Sequence, residues 1–235
     1  MAQKKLLRFA QLKTFEHVLE KPDGTSGNWK NHFKNNHPIV IELACGRGEY
    51  TIGMAQLYPQ KNFIGIDIKG NRMYIGAKIA QDIGLGNAAF LRTQIEALSY
   101  YFINGEVDEI WLTFPDPHLR ISKAKKRLTH PRFLRQYLQV LKPGGSINLK
   151  TDSPNLYRFT KQIIDMYGLT IIVDTANVYA SQNILPELHI KTHYEKMDIA
   201  GSKTIHYLKF SLPEILIDID TQLHCTLVEQ NDIQP

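Results

Sequence analysis

The sequence predicts an α/β fold: a doubly wound, mostly parallel sheet. Three observations predict it. Short apolar, β-branched runs alternate with longer segments of helical period; the first such run ends in a glycine turn, Ala44-Cys45-Gly46-Arg47-Gly48; and Asp67 closes the next run. Strands buried on both faces read as near-continuous apolar runs, and parallel neighbours need a crossover that is usually a right-handed helix.

The elements follow in order. Pro38 to Leu43 reads as a buried strand running into the glycine turn. A helix over Glu49 to Leu57 is stopped by Tyr58-Pro59, and Asn62 to Ile68 is a second strand. Lys69 to Gly84 is helical by period, Ala88 to Leu91 a third strand, Gln94 to Phe102 a helix and Val107 to Thr113 a fourth strand. A basic loop leads to a helix from Pro131 to Leu141, stopped by Lys142-Pro143-Gly144-Gly145, and Ser146 to Lys150 is a fifth strand ending at Thr151-Asp152. A helix from Pro154 to Tyr167, a strand from Leu169 to Thr175, an irregular stretch and a strand from Thr204 to Leu212 complete a seven-stranded sheet. Residues 1–34 read as a basic N-terminal extension to a single domain over 35–235, and the tail from Pro213, with five acids and no Lys or Arg, as a solvated or edge-covering end.

At 235 residues, 43% hydrophobic and 22% charged, the chain has room for one large core, and its composition excludes disorder, collagen-like repeats and a coiled coil. No apolar run reaches the roughly 18 residues of a membrane span, and the start lacks the apolar core and cleavage site of a signal peptide, so a cytoplasmic protein without a membrane partner is expected. Two distant cysteines, Cys45 and Cys225, exclude a disulfide framework and a cysteine-rich zinc site. His189 and His193 have helical metal-ligand spacing, but Pro186 and the lack of a third ligand argue against a metal. Monomer and homodimer both stay open.

The net charge of +5 is spread unevenly. Residues 1–34 carry +4, including Lys4, Lys5, Arg8 and Lys13, and residues 35–116 carry −3. Pro117 to Thr151 holds nine basic residues and no acid, whereas residues 152–235 carry −5. The +9 run starts directly after Asp116, in a two-proline turn at the end of a predicted strand, where active-site loops of α/β sheets lie. A polyanion is the partner such a run would attract.

Ligands of such sheets sit beyond the carboxyl ends of the strands, and Gly46 and Gly48 allow a close backbone approach. Asp67, about 20 residues further on, is placed to accept hydrogen bonds from both ribose hydroxyls, which points to a nucleoside. A dinucleotide is disfavoured: the third glycine position is Thr51, and Glu42 would repel a pyrophosphate. The string E-L-A-C-G-R-G instead resembles the first motif of class I S-adenosylmethionine-dependent methyltransferases, a Rossmann-like fold whose ligand offers Glu42 a cation.

From about Ile41 to Asp152 the chain resembles the bacterial tRNA (guanine-N7-)-methyltransferase family, which modifies the guanosine at position 46 in the tRNA variable loop. Phe114-Pro115-Asp116-Pro117 followed by Lys125-Lys126-Arg127-Leu128-Thr129 is similar to its F-P-D-P-W and K-R-R motifs at the same separation. Asn148-Leu149-Lys150-Thr151-Asp152 and Thr192-His193-Tyr194-Glu195 resemble its K-T-D and T-x-Y/F-E elements, with Gly201 also in place. The resemblance implies cofactor contacts at Glu42, Asp67, Gln94 and Asp116, and a catalytic role for Asp116. It implies substrate contacts at Arg120, Asp152, Thr192, His193, Tyr194 and Glu195. The chain departs from the family at Ala44, in place of a frequent glycine, and at His118 and Leu119. Gln94 replaces an acid and Arg120 a lysine.

N7 of guanine carries a free lone pair, so no proton must leave before attack, and Asp116 is expected to position the guanine N1 and N2 donors and to stabilise the cationic product. Lys123, Lys125, Lys126 and Arg127 suit backbone phosphates, which position but do not specify. His118 and Tyr194 offer rings on which a splayed base can stack. Two rivals remain at this level: a methyltransferase of this fold acting on another substrate, which leaves the +9 run unexplained, and a noncatalytic RNA-binding protein, for which Glu42, Asp67 and Asp116 would all be dispensable.

Overall fold

A computed structural model describes residues 2–197 and 204–232. The chain enters through helix α1 (Ala2–Leu12), strand β1 (Val18–Glu20) and helix α2 (Trp29–Phe33). Then come β2 (Ile39–Leu43), α3 (Glu49–Leu57), β3 (Asn62–Ile66), α4 (Gly70–Asp82) and β4 (Ala88–Arg92), which leads into a 3₁₀ turn (Ile95–Tyr100). After β5 (Val107–Thr113), a second 3₁₀ turn (Ile121–Lys126) and α5 (Pro131–Leu138) precede β6 (Leu141–Thr151) and α6 (Pro154–Met166). The chain closes with β7 (Thr170–Thr175), two short 3₁₀ turns, α7 (His193–Met197), β8 (His206–Ser211) and α8 (Asp220–Asp232).

The sheet runs β1-β4-β3-β2-β5-β6-β8-β7. β1 to β6 are parallel, and β8 is antiparallel to both its neighbours. The chain builds outward from β2 through β3 to β4, then returns to lay β5 on the other side of β2. That reversal is the topological switch point, where a crevice opens beyond the carboxyl ends of the strands. The Ala44–Gly48 turn leaves β2 and the Phe114–Pro117 turn leaves β5, so the two motifs flank one crevice.

Alternate residues of each strand serve opposite faces. Ile39, Ile41 and Leu43 of β2 join Trp29, Leu134, Phe159 and Leu223 on one face; Val40 joins Leu12, Tyr50, Met73 and Trp111 on the other. Both faces are covered by helices, which is why the central strands carry the continuous apolar runs that the sequence shows.

The sheet has eight strands rather than the seven expected. The additional one, β1, comes from the segment read as an extension, and pairs Val18 to Glu20 with Phe90 to Arg92 at the edge. Three residues are too few to carry a period, and only Val18 among them is fully buried, so the usual strand signal is absent. The same segment supplies Trp29, which has no exposed surface, stacks on Phe102 at 5.3 Å between centroids and donates its indole N–H to the Tyr101 carbonyl at 2.8 Å.

Boundaries shift elsewhere for local reasons. The helix expected over Gln94 to Phe102 tightens into a 3₁₀ turn that tucks Leu98 into the core. α5 ends at Leu138, because β6 starts at Leu141 and runs through Pro143-Gly144-Gly145, with a register shift against β5 between Val107 and Glu109. The acidic tail contains α8, which buries Leu223 and Leu227. Among the described residues no helix is long and apolar enough to cross a membrane, and Cys45 and Cys225 are both free thiols, the first buried and the second exposed.

Trp29→Ala should therefore unfold the protein far more readily than loss of a mobile arm would. Truncating a buried aromatic costs about 3–5 kcal/mol, so a fall in Tm of roughly 10 °C is expected by thermal denaturation. An unchanged Tm would show that the N-terminal segment contributes no packing.

Candidate active site

The crevice at the switch point is a cavity of about 1140 Å³. One wall is the turn after β2, with Ala44, Gly46 and Arg47; the next is the end of β3, with Asp67 and Ile68. Gln94, after β4, and Asp116, in the turn after β5, line it further on, and Asp152 and Thr192 close it on the side of β6 and the C-terminal segment. Gly46, Asp67, Gln94, Asp116, Asp152 and Thr192, from six separate stretches of chain, thus come to one cavity.

Local conformation explains the turn after β2. Ala44, Gly46 and Gly48 all have positive φ, at 56°, 56° and 70°. Gly48 does not line the cavity: a Cβ there would stand 2.5 Å from the Phe90 ring, so this glycine serves the packing of α3 over β4. Gly46 does line it, and its N–H donates to Asp67 Oδ2 at 2.9 Å. Asp67 Oδ1 accepts from the Lys69 N–H at 2.7 Å, so two backbone bonds fix the carboxylate while its remaining lone pairs stay available.

Glu42 lies beneath the turn, outside the cavity lining. Its Oε2 accepts from the Thr51 N–H at 2.9 Å and the Thr51 hydroxyl at 2.5 Å, and its Oε1 accepts from the Thr113 hydroxyl. Burial raises its pKa to about 7, opposed by these three hydrogen bonds. The Cys45 thiol is pushed up by burial and by the charges of Glu42 and Asp67, leaving it inert as a nucleophile.

Asp116 stands at the lip with its side chain 73% exposed. Its Oδ1 accepts from the His118 N–H at 3.0 Å, closing an Asx turn, and His118 adopts a left-handed φ of 43°. Arg127 holds this turn from below. Its guanidinium donates to the carbonyls of Pro117, His118 and Leu119 at 3.1–3.3 Å, and it lies 4.4 Å from the Phe159 ring centroid. At 6% exposure, Arg127 is turned away from solvent, unlike Lys123, Lys125 and Lys126 before it.

The basic run separates in space into two groups. Arg132 pairs with Glu96, Arg135 with Asp218 and Asp220, Lys142 with Asp108, and Lys150 with Glu195. Arg120, Lys123, Lys125 and Lys126 are exposed on or beside the 3₁₀ turn at 121–126, next to the Asp116 turn. Of the Thr192–Glu195 motif, Thr192 reaches the cavity and caps α7 by accepting from the Glu195 N–H at 3.1 Å. His193 donates its backbone N–H to Glu49 at 3.0 Å. The Tyr194 side chain and Gly201 lie outside the described residues, as do the side chains of Lys4 and Lys5. No group of three or more His, Cys, Asp or Glu that would hold a metal occurs among the described residues.

Sequence reasoning missed two features. Ile68 reads as the last residue of a strand, yet it is 51% exposed and offers an apolar wall beside Asp67. Thr51 served only as evidence against a dinucleotide, and its role as Glu42's partner needed the fold; the one signal was a hydroxyl where a third glycine would stand.

The residues from 36 to 208 match a family model described as "Putative methyltransferase". A tRNA (guanine-N(7)-)-methyltransferase of Porphyromonas gingivalis is 47% identical over 86% of this chain and 87% of its own. One from Bacteroides thetaiotaomicron is 44% identical, covering 91% and 88%, and one from Lactococcus lactis 32%, covering 82% and 88%. Among solved structures, the 16S rRNA methyltransferase KamB superposes with a TM-score of 0.62 at 16% identity, over 84% of this chain and 99% of that one, a likeness of fold.

The Glu42 environment has a pH signature. Its folded-state pKa, about 7, lies above the ordinary glutamate value of 4.5, so between these values the native state binds more protons than the unfolded chain and stability falls as pH rises. The loss, complete above pH 7, is about 3 kcal/mol by linkage. Glu42→Gln keeps acceptors and donors for Thr51 and Thr113 without the charge. Urea denaturation across pH 4–8 should give a flatter profile for this variant and greater stability than wild type at pH 8; parallel profiles would overturn the assignment.

Proposed function

The chain belongs to the tRNA (guanine-N7-)-methyltransferase family, and from that premise we propose that the cavity at the switch point is where it methylates N7 of a tRNA guanosine, at position 46 of the variable loop, with S-adenosylmethionine as donor. The observation that carries this reading is the convergence of Asp67, Asp116, Asp152 and Thr192 on one cavity beside the exposed cations Arg120, Lys123, Lys125 and Lys126.

S-adenosylmethionine, when bound, supplies a methyl group on a sulfonium, so the protein's task is to align donor and acceptor for an in-line displacement. The cavity fits such a cofactor. The buried Asp67 carboxylate, held by two backbone N–H groups, has lone pairs left for ribose hydroxyls. Ile68 presents an apolar face suited to a purine, and Gln94 offers an amide to an exocyclic amine. Gly46 lets the backbone come close, while Glu42 orients the turn from beneath.

On the acceptor side, Asp116 is an acceptor-only carboxylate poised over the opening, suited to the N1 and N2 donors of guanine and to the positive charge that develops at N7. Asp152 and Thr192 form the opposite wall of the guanosine site, with the segment to Glu195 behind them. Lys123, Lys125 and Lys126 contact phosphates, with Arg120 at the mouth, and Arg127 keeps the Asp116 turn rigid. The enzyme works in the cytoplasm, on tRNA.

Incubation with labelled S-adenosylmethionine and unmodified tRNA, then nucleoside analysis, should yield 7-methylguanosine; a folded, cofactor-binding protein that yields none would overturn the reading. Asp116→Asn is expected to reduce kcat by roughly 100-fold, as for loss of one electrostatic group at the reacting centre. Changing Lys123, Lys125 and Lys126 together to Gln should weaken tRNA binding and lower the slope of log K against log salt by about 2–3. An unaltered slope would exclude these three from phosphate contact.

A further inference from the structure

Lys150 is the one cation of the basic run with no exposed side-chain surface, and it reaches the segment opposite Asp116. Its ammonium donates to the Leu188 carbonyl at 2.9 Å, the Ile190 carbonyl at 2.9 Å and Glu195 Oε2 at 3.0 Å. All three donors are used, and all three acceptors belong to the segment that carries Thr192. The rings of Tyr50, Phe114 and Tyr179 surround it at 5.5–6.0 Å. Its own carbonyl accepts from the Phe114 N–H at 2.8 Å, at the root of the Asp116 turn. Tyr179 donates its hydroxyl to the other oxygen of Glu195.

This geometry excludes the role that the charge count suggests. A side chain with no exposed surface does not meet a phosphate, and an ammonium, which carries no lone pair, has no donor left for the reaction when three acceptors surround it. What it does join is two loops that lie far apart in sequence: Phe114–Pro117, presenting Asp116, and 188–195, presenting Thr192. We propose that Lys150 is a positioning residue that fastens the 188–195 segment, through Glu195 and two backbone carbonyls, at the distance from the Asp116 turn that a flipped guanosine requires. The cofactor half of the cavity, at Gly46 and Asp67, receives none of these bonds, so the effect falls on tRNA and not on S-adenosylmethionine. The guanosine part rests on the proposed function; the fastening of the segment does not.

Two variants test it. In Lys150→Met the stem is kept and the donors are lost, leaving Glu195 buried without its cation, a strongly unfavourable arrangement. Tyr179→Phe removes a single hydroxyl from a half-exposed ring, a change that the fold accommodates, and leaves Glu195 less firmly held. Hydrogen exchange, which needs no activity, should show residues 188–195 opening roughly 10-fold faster in both variants, with α3 and α4 protected as in wild type. In steady-state kinetics, Lys150→Met should raise the KM for tRNA about 30-fold, and Tyr179→Phe about 5-fold, with the Kd for S-adenosylmethionine unchanged. Unaltered exchange at 188–195 overturns the proposal outright, including when Lys150→Met fails to fold and only Tyr179→Phe is measured. Faster exchange with an unmoved tRNA KM, or with cofactor affinity falling in step, overturns its functional half. A wild-type enzyme that makes no 7-methylguanosine refutes both the proposed function and this functional half, while the exchange result still decides the fastening.

Discussion

A carboxylate removed from water ties the middle of this sheet to the loops that leave it. Glu42 sits at the switch point, paired in register with Trp111 of β5, and spends its two oxygens on Thr51 at the start of α3 and Thr113 at the end of β5. An unpaired buried carboxyl is costly, so the three hydrogen bonds are close to obligatory, and they dictate where both loops begin. Gly65 completes the arrangement. A Cβ there would lie 2.7 Å from the Thr51 hydroxyl, so β3 must be bare at that point for Thr51 to reach Glu42. The cavity's two principal turns are thus positioned by one acid that does not itself face the cavity.

The opposite end of the crevice is organised by two buried cations. Arg127 grips three successive carbonyls under the Asp116 turn, and Lys150 grips the segment that faces it. Each is a charge placed among carbonyl dipoles and aromatic rings, so each fixes a loop that would otherwise move freely over the surface. In the family reading, this rigidity prepares the site: a reaction that asks for alignment and no proton removal gains most from loops held in place.

Much of the fold was legible along the chain. The strands β2 and β3 are buried along their whole length, and a strand in that position is predominantly apolar, so Ile39 to Leu43 and Asn62 to Ile66 announce themselves. β1 gave no such signal, since an edge strand of three residues needs only one inward side chain, and its partner β4 is remote in sequence. Part of the site was legible for a similar reason. Gly46, Asp67, Asp116 and Asp152 each follow a strand end, and strand ends on one side of a parallel sheet must converge. Ile68 escaped because exposure of an apolar residue is a property of what surrounds it.

The charge count marks the boundary most plainly. From the sequence alone one learns that nine cations follow Asp116 without an acid among them, and that period and glycine placement make an α/β sheet with a nucleoside-type turn. Only the tertiary structure decided which of those cations are paired with acids. Glu96, Asp108, Glu195, Asp218 and Asp220, all from outside the run, pair with four of them, and Arg127 turns inward onto carbonyls. Period and turn chemistry are local, acting over a few bonds and so readable in order. A charge's partner is chosen by distance in space, and folding brings together residues as far apart as Arg135 and Asp220, so the free cations beside Asp116 became identifiable only when the others were seen to be paired.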